Sequence, residues 1–170
     1  ALGIGGERAL TLWTMLSGWM TGLLLFGLCR RYLAVNWSLA IVLLYLSTPA
    51  ILQTGGAGHI EPRIAQFVLL GAVAAGIAVH QNGINYCILS GLCAGFFVGA
   101  KYTGLLFAVA CVMGLLVARN RFKLFPIFCL TVLLAGFQWY FWVWIKTGDP
   151  LFPMLFNVLG VSDPALWSEA

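Results

Sequence analysis

The segment TGGAGHIEPR, residues 54–63, places three ionisable side chains directly after three glycines. His59, Glu61 and Arg63 occupy alternate positions there, although only 8% of the 170 residues are charged. Pro62 suits the first turn of a helix, and the free amides and dipole of such a turn favour an anion. The segment therefore predicts chemistry that involves a carboxylate, a cation and an anionic group.

Two interpretations of this segment remain open. In the first, Glu61 is itself the anion, because it caps the helix and pairs locally with Arg63. In the second, Glu61 and Arg63 line a site for a polar, phosphate-bearing ligand at a membrane surface.

A second polar group lies in GLCAGFFVGAKYTGLLFAV, residues 91–109. The turn Lys101-Tyr102-Thr103 separates two apolar runs of about 16 or 17 residues, which span about 25 Å as helices against a bilayer core of about 30 Å. The turn is therefore expected to lie below the membrane surface. A lysine at that depth is costly unless it reaches the surface or lines a wet, anionic cavity.

The elements that position these residues are predicted to be membrane helices. The chain is 62% hydrophobic, far above a typical soluble domain. The predicted fold is all-α, a polytopic transmembrane bundle of about six spans with both termini outside. The spans are approximately 9–29, 37–53, 62–80, 84–100, 103–118 and 124–145. Residues 1–146 form a single bundle, and residues 147–170 form an outer amphipathic tail.

Alternating these spans sorts the charges by side. All five carboxylates fall on one side. The other side carries only cations, and by the positive-inside rule it is cytoplasmic. These cations are Arg30, Arg31, Arg119, Arg121 and Lys123.

Three further patterns concern packing rather than chemistry. Gly91, Gly95 and Gly99 recur every four residues, which predicts a helix face that another backbone approaches closely. Four aromatic residues near the end of span six suit the outer headgroup belt: Trp139, Tyr140, Trp142 and Trp144. The five cysteines form no CxxC pair, so we expect small buried hydrophobes. No metal and no cofactor are predicted.

Three segments in this order resemble a known family. STPAILQTGGAGHIEPRIAQFVLLG, GFFVGAKYTGLL and WIKTGDPLFPMLFN are similar to the middle of the GT-C glycosyltransferases. The nearest branches are the bacterial dolichyl-phosphate-mannose protein mannosyltransferases and the aminoarabinose transferases. The resemblance covers about residues 10–160.

The resemblance implies roles for particular residues. Glu61 matches an acid near the sugar or the acceptor, and is the candidate catalytic residue. Lys101 matches a lysine that meets the donor phosphate, whereas Asp149 and Pro150 belong to a loop motif. The candidate substrate-binding residues are His59, Arg63, Lys101, Tyr102 and Asp149.

The implied function is transfer of a sugar from a polyprenyl-phosphate donor at the outer face of a bacterial inner membrane. Membrane lipid and the lipid-phosphate sugar are the expected partners, with other membrane subunits possible and no nucleic acid. The family's principal acid, in its first outer loop, has no counterpart here, so we expect a fragment or a degenerate form. The alternatives are a non-catalytic subunit of a larger membrane complex and, more remotely, a transporter.

Overall fold

The computed structural model describes residues 5–149, which form seven α-helices and no strand. The all-α prediction is therefore confirmed for this part of the chain. Most of the predicted tail, from residue 150 onward, lies outside the described residues, as do Pro150, Asp163 and Glu169. The helices are α1 (Gly6–Cys29), α2 (Val35–Ser47), α3 (Pro49–Gly56), α4 (Glu61–Gln81), α5 (Ile84–Ala100), α6 (Gly104–Leu116) and α7 (Arg121–Thr147).

The second predicted span is not one straight helix. It divides at Thr48 into α2 and α3, which are bent by 55°. The ring of Pro49 disfavours helical geometry in the preceding residue, and Thr48 accordingly takes an extended conformation with ψ of 125°. Pro49 then begins α3, where its missing amide hydrogen leaves no helical bond unmade.

Three helices, α1, α4 and α7, are long and apolar enough to cross a membrane. The bent pair α2 and α3 makes a fourth candidate span. The remaining two, α5 and α6, are apolar but have only 17 and 13 residues. Each predicted span thus coincides with a helix or with the bent pair, while the number six and the placement of the termini stay predictions.

The glycine stripe on α5 packs against α7. A Cβ atom added to Gly95 would lie 2.6 Å from the carbonyl oxygen of Val132 and 2.6 Å from the Cβ of Ala135. One added to Gly91 would collide with the hydroxyl of Thr131. The predicted close approach of a neighbouring backbone is therefore confirmed, and the neighbour belongs to the same chain.

The directions of the helices follow from their contacts. The Cys87 thiol donates to the Leu124 carbonyl near the start of α5 and α7, and the Tyr140 hydroxyl donates to the Val98 carbonyl near their ends. These two helices are therefore parallel. By contrast, α4 is antiparallel to α5. The end of α4 at Gln81 is followed directly by the start of α5 at Ile84, and farther along both helices the Ser90 hydroxyl donates to the Gly71 carbonyl at 2.9 Å.

The helix α1 runs parallel to α4, because Gly58, just before α4, lies beside Thr11 near the start of α1. These directions give the bundle two chemically different ends. We call the first the acidic end, because it holds every carboxylate of the described part, namely Glu7, Glu61 and Asp149. We call the second the basic end, and it carries Arg30, Arg31, Arg119, Arg121 and Lys123.

Three of the five cysteines, Cys87, Cys93 and Cys111, are buried, as expected for small hydrophobes. Cys129 is instead exposed on α7, so the expectation is wrong for this residue. Its helix turns the opposite face toward α5, where Phe128 and Thr131 contact Gly91.

Candidate functional site

An ion pair joins the two polar segments at the acidic end. The Lys101 ammonium donates to the Glu61 carboxylate with a distance of 2.8 Å between Nζ and Oε1. The two residues are 40 positions apart and come together because α4 and α5 are antiparallel. The sequence analysis placed both residues on the same side, and the structure brings them into direct contact.

Glu61 enters the site as the first residue of α4. Ile60 occupies the N-cap position, and no side chain makes a capping hydrogen bond there. Pro62 fixes the backbone of the first turn, and its nitrogen carries no hydrogen that would need an acceptor. Glu61 therefore lies beside the N-cap, and its carboxylate reaches across to Lys101.

Lys101 enters the site from a tight turn between α5 and α6. Its amide donates to the Phe97 carbonyl at 2.9 Å, and its backbone then becomes extended. The chain folds back so closely that a Cβ on Gly104 would lie 2.5 Å from the Val98 nitrogen. Only glycine fits there, which explains physically why this turn ends in Thr-Gly.

His59 approaches the other oxygen of the same carboxylate. Its Nδ1 atom lies 3.9 Å from Oε2 of Glu61, which is too long for a hydrogen bond. The imidazole is mostly exposed, and it interacts favourably with the carboxylate only when it is protonated. Glu61 thus lies between the Lys101 ammonium and the His59 imidazole.

Arg63 does not share this carboxylate in the structure. Among the described residues, Glu61 forms ion pairs with Lys101 and His59. The predicted local pair between Glu61 and Arg63 is not one of them. The reason is geometric, since residues two apart on a helix point in different directions. Arg63 is partly buried, and its Nε atom has no hydrogen-bond partner among the described residues.

Tyr102 follows Lys101 in the turn between α5 and α6, and Asp149 follows the end of α7. The rings of Tyr102 and Tyr140 are 6.1 Å apart between centroids. Burial raises the pKa of the Tyr102 phenol, and the carboxylate of Asp149 raises it further. Asp149 itself is only 2% exposed, so in this structure it does not lie on the accessible surface.

Sequence reasoning missed the structural role of Tyr140. The aromatic run near the end of α7 was interpreted as a headgroup belt, and Trp139, Trp142 and Trp144 are indeed exposed. Tyr140 instead turns inward and donates to the Val98 carbonyl at 3.0 Å. Tyr140 lies four residues after Gly136 and therefore on the same face of α7, the face that contacts α5. This spacing is the only sequence signal that distinguishes Tyr140 from the neighbouring tryptophans.

The pair of Glu61 and Lys101 is accessible to a ligand. Their side chains are 51% and 43% exposed. An ion pair this open contributes at most about 1 kcal/mol to folding, so stability alone does not account for it. Chemically, the arrangement offers a proton acceptor and an ammonium group that can bind an anion.

One protein family matches most of the chain. The family described as dolichyl-phosphate-mannose-protein mannosyltransferase matches residues 1–144. No curated protein and no solved structure matches the chain. The matched region includes six of the seven helices completely, together with Glu61 and Lys101. This chain therefore belongs to the dolichyl-phosphate-mannose-protein mannosyltransferase family.

Proposed function

We propose that this chain is the part of a membrane glycosyltransferase that binds a polyprenyl-phosphate sugar donor at the outer face of the membrane. The observation that carries the proposal is the ion pair of Glu61 and Lys101. It places a carboxylate beside an accessible ammonium group in a bundle whose family transfers sugars from lipid phosphate.

The proposed reaction is a displacement at the anomeric carbon of the donor sugar. An acceptor hydroxyl attacks this carbon while Glu61 takes the hydroxyl proton. The bond from the anomeric carbon to the phosphate oxygen breaks, and its electron pair leaves with the lipid phosphate. Lys101 stabilises the charge on that phosphate, with Arg63 as a second candidate cation. A single displacement of this kind inverts the configuration at the anomeric carbon.

The ion pair couples donor binding to the readiness of the base. In the structure the Lys101 ammonium is already bound to Glu61. A donor phosphate competes for this ammonium, and a carboxylate that loses a nearby cation holds a proton more strongly. Binding of the donor therefore makes Glu61 a better proton acceptor for the hydroxyl that follows.

Replacing Lys101 by Ala is expected to weaken donor binding more than it slows transfer at saturating donor. The reason is that the ammonium group contacts the phosphate both before and during the reaction. Steady-state transfer as a function of donor concentration should show KM raised by about tenfold, the usual scale for a charged hydrogen bond. Lys146→Ala, an exposed lysine at the same end, is the control. An unchanged KM in Lys101→Ala would argue against phosphate binding at this residue.

The orientation of the bundle is a further part of the proposal. The acidic end faces the periplasm or the exterior, and the basic end faces the cytoplasm of a bacterial inner membrane, as the positive-inside rule predicts.

Cysteine labelling tests this orientation. A membrane-impermeant thiol reagent added to intact cells should modify a cysteine at Ala57 but not one at Asn120. Both positions are exposed, and they lie at opposite ends of the bundle. The parent protein, with its five native cysteines, gives the background. Labelling of Asn120→Cys from outside would reverse the proposed orientation.

The alternative function, a non-catalytic subunit of a larger complex, loses one of the observations that supported it. The glycine stripe was one reason to expect a partner helix, but α7 of the same chain covers it.

A further inference from the structure

A groove between α1 and α4 opens toward the basic end, far from the ion pair. It has a volume of about 260 Å³. Its lining residues are apolar apart from one arginine. The residues that line it include Leu24, Gly27, Leu28, Leu70, Val73 and Arg31.

The arginine lies beside α4 rather than beyond its end. Arg31 shares the groove with Val73, and α4 continues for eight residues beyond Val73, to Gln81. Eight residues extend about 12 Å along a helix. Arg31 is exposed in the turn after α1, so its guanidinium group is accessible to an anion beside this part of α4.

The described residues do not supply this anion. Their carboxylates, at Glu7, Glu61 and Asp149, all lie at the acidic end. The neighbouring Arg30 is engaged within its own turn, where Nη1 donates to the Leu33 carbonyl at 2.8 Å. The described residues give the Arg31 guanidinium neither a hydrogen bond nor an ion pair, so its counter-charge has to come from elsewhere.

The groove is also open where an acyl chain would lie. A Cβ atom added to Gly27 would find no atom within 4 Å, so this glycine leaves free space instead of touching a neighbouring helix. An apolar groove with one exposed cation among its lining residues matches a molecule with a hydrocarbon chain and an anionic head.

We propose that this groove binds an anionic phospholipid of the leaflet at the basic end. The phosphate lies against Arg31, and one acyl chain lies along Gly27, Leu28 and Val73. The choice of an anionic over a zwitterionic lipid follows from charge complementarity, because juxtamembrane cations attract anionic headgroups. The proposal is independent of the glycosyltransferase function, since the site lies at the opposite end of the bundle.

The test compares lipids retained by the purified, detergent-solubilised protein in native mass spectrometry. The parent protein is expected to retain phosphatidylglycerol in preference to phosphatidylcholine. Arg31→Gln should lower phosphatidylglycerol retention by about fivefold, the scale set by one interfacial cation. Gly27→Leu should also lower it, because the added side chain fills space that the acyl chain would occupy. Arg31→Lys should preserve most of the retention, because the charge remains.

Two matched controls separate the groove from general attraction to the basic end. Arg119→Gln removes a cation from the same end, and Gly114→Leu adds a side chain where a Cβ would also find no atom within 4 Å. Both should retain phosphatidylglycerol like the parent. Equal losses in Arg31→Gln and Arg119→Gln would overturn the proposal, as would equal retention of the two lipids by the parent. If Gly27→Leu unfolds, the comparison of the two arginine variants decides.

Discussion

Replacing Glu61 by Gln is expected to lower sugar transfer by about 10²- to 10⁴-fold, the usual contribution of a general base. The amide has the shape of the carboxylate but does not accept the proton of the acceptor hydroxyl. Folding should change little, since the lost ion pair is half exposed. Transfer from a lipid-phosphate donor is measured alongside thermal unfolding of the same preparation.

Donor binding by this variant gives a second, independent measurement. Glu61→Gln removes the carboxylate that competes with phosphate for Lys101, so donor affinity should be retained or increased. Glu7→Gln, which changes another carboxylate at the acidic end, should leave both transfer and binding unchanged. Normal transfer by Glu61→Gln would eliminate Glu61 as the base, whereas a loss of donor affinity would indicate that Glu61 binds the sugar instead.

Replacing Gly95 by Leu is expected to prevent α5 from packing on α7. The added side chain meets the carbonyl oxygen of Val132 at 2.6 Å. This oxygen belongs to the backbone of α7, so the clash is relieved only if the two helices separate. Inserting atoms into a packed interface usually lowers the free energy of unfolding by about 1–3 kcal/mol. Because the clash here involves backbone atoms, we expect a destabilisation at or above the upper end of that range. A large fall in unfolding temperature and loss of the monodisperse peak in size-exclusion chromatography should result.

Gly76→Leu is the control for this variant. A Cβ at Gly76, on α4, would find no atom within 4 Å, so the same change in side chain should be tolerated there. If Gly95→Leu behaved like Gly76→Leu, the contact of α5 with α7 would be refuted. The position of Lys101 at the end of α5 would then need another explanation.

Much of the fold follows from hydrophobicity alone, because each predicted apolar run became a helix or a bent pair of helices. Glu61 and Lys101 were assigned to the same side because two predicted spans lie between them, and a chain that crosses the membrane twice returns to the side from which it started. The contact itself required knowledge that α4 and α5 are adjacent and antiparallel. Hydropathy does not provide this, since it describes each helix separately.

Other features depended on side-chain direction, which a linear sequence conveys poorly. Arg63 is two residues from Glu61 in the chain, yet helical geometry turns it away. Tyr140 was grouped with the tryptophans because all four are amphipathic aromatics, but its hydroxyl donates a hydrogen bond to the backbone of α5. The glycine stripe predicted a close contact but did not indicate which helix makes it, because the backbone of any neighbouring helix could pack against three glycines.

The pairing of α5 with α7 also bears on how the protein is made. Gly91 contacts Thr131, which is synthesised 40 residues later. At about 5–20 residues per second, the ribosome needs about 2–8 seconds to cover that distance. During this interval the short helix α5 contacts α4 through the hydroxyl of Ser90. Its glycine surface remains uncovered until α7 has been synthesised. Conditions that lengthen the pause should therefore expose the newly inserted chain to membrane proteases before the bundle closes.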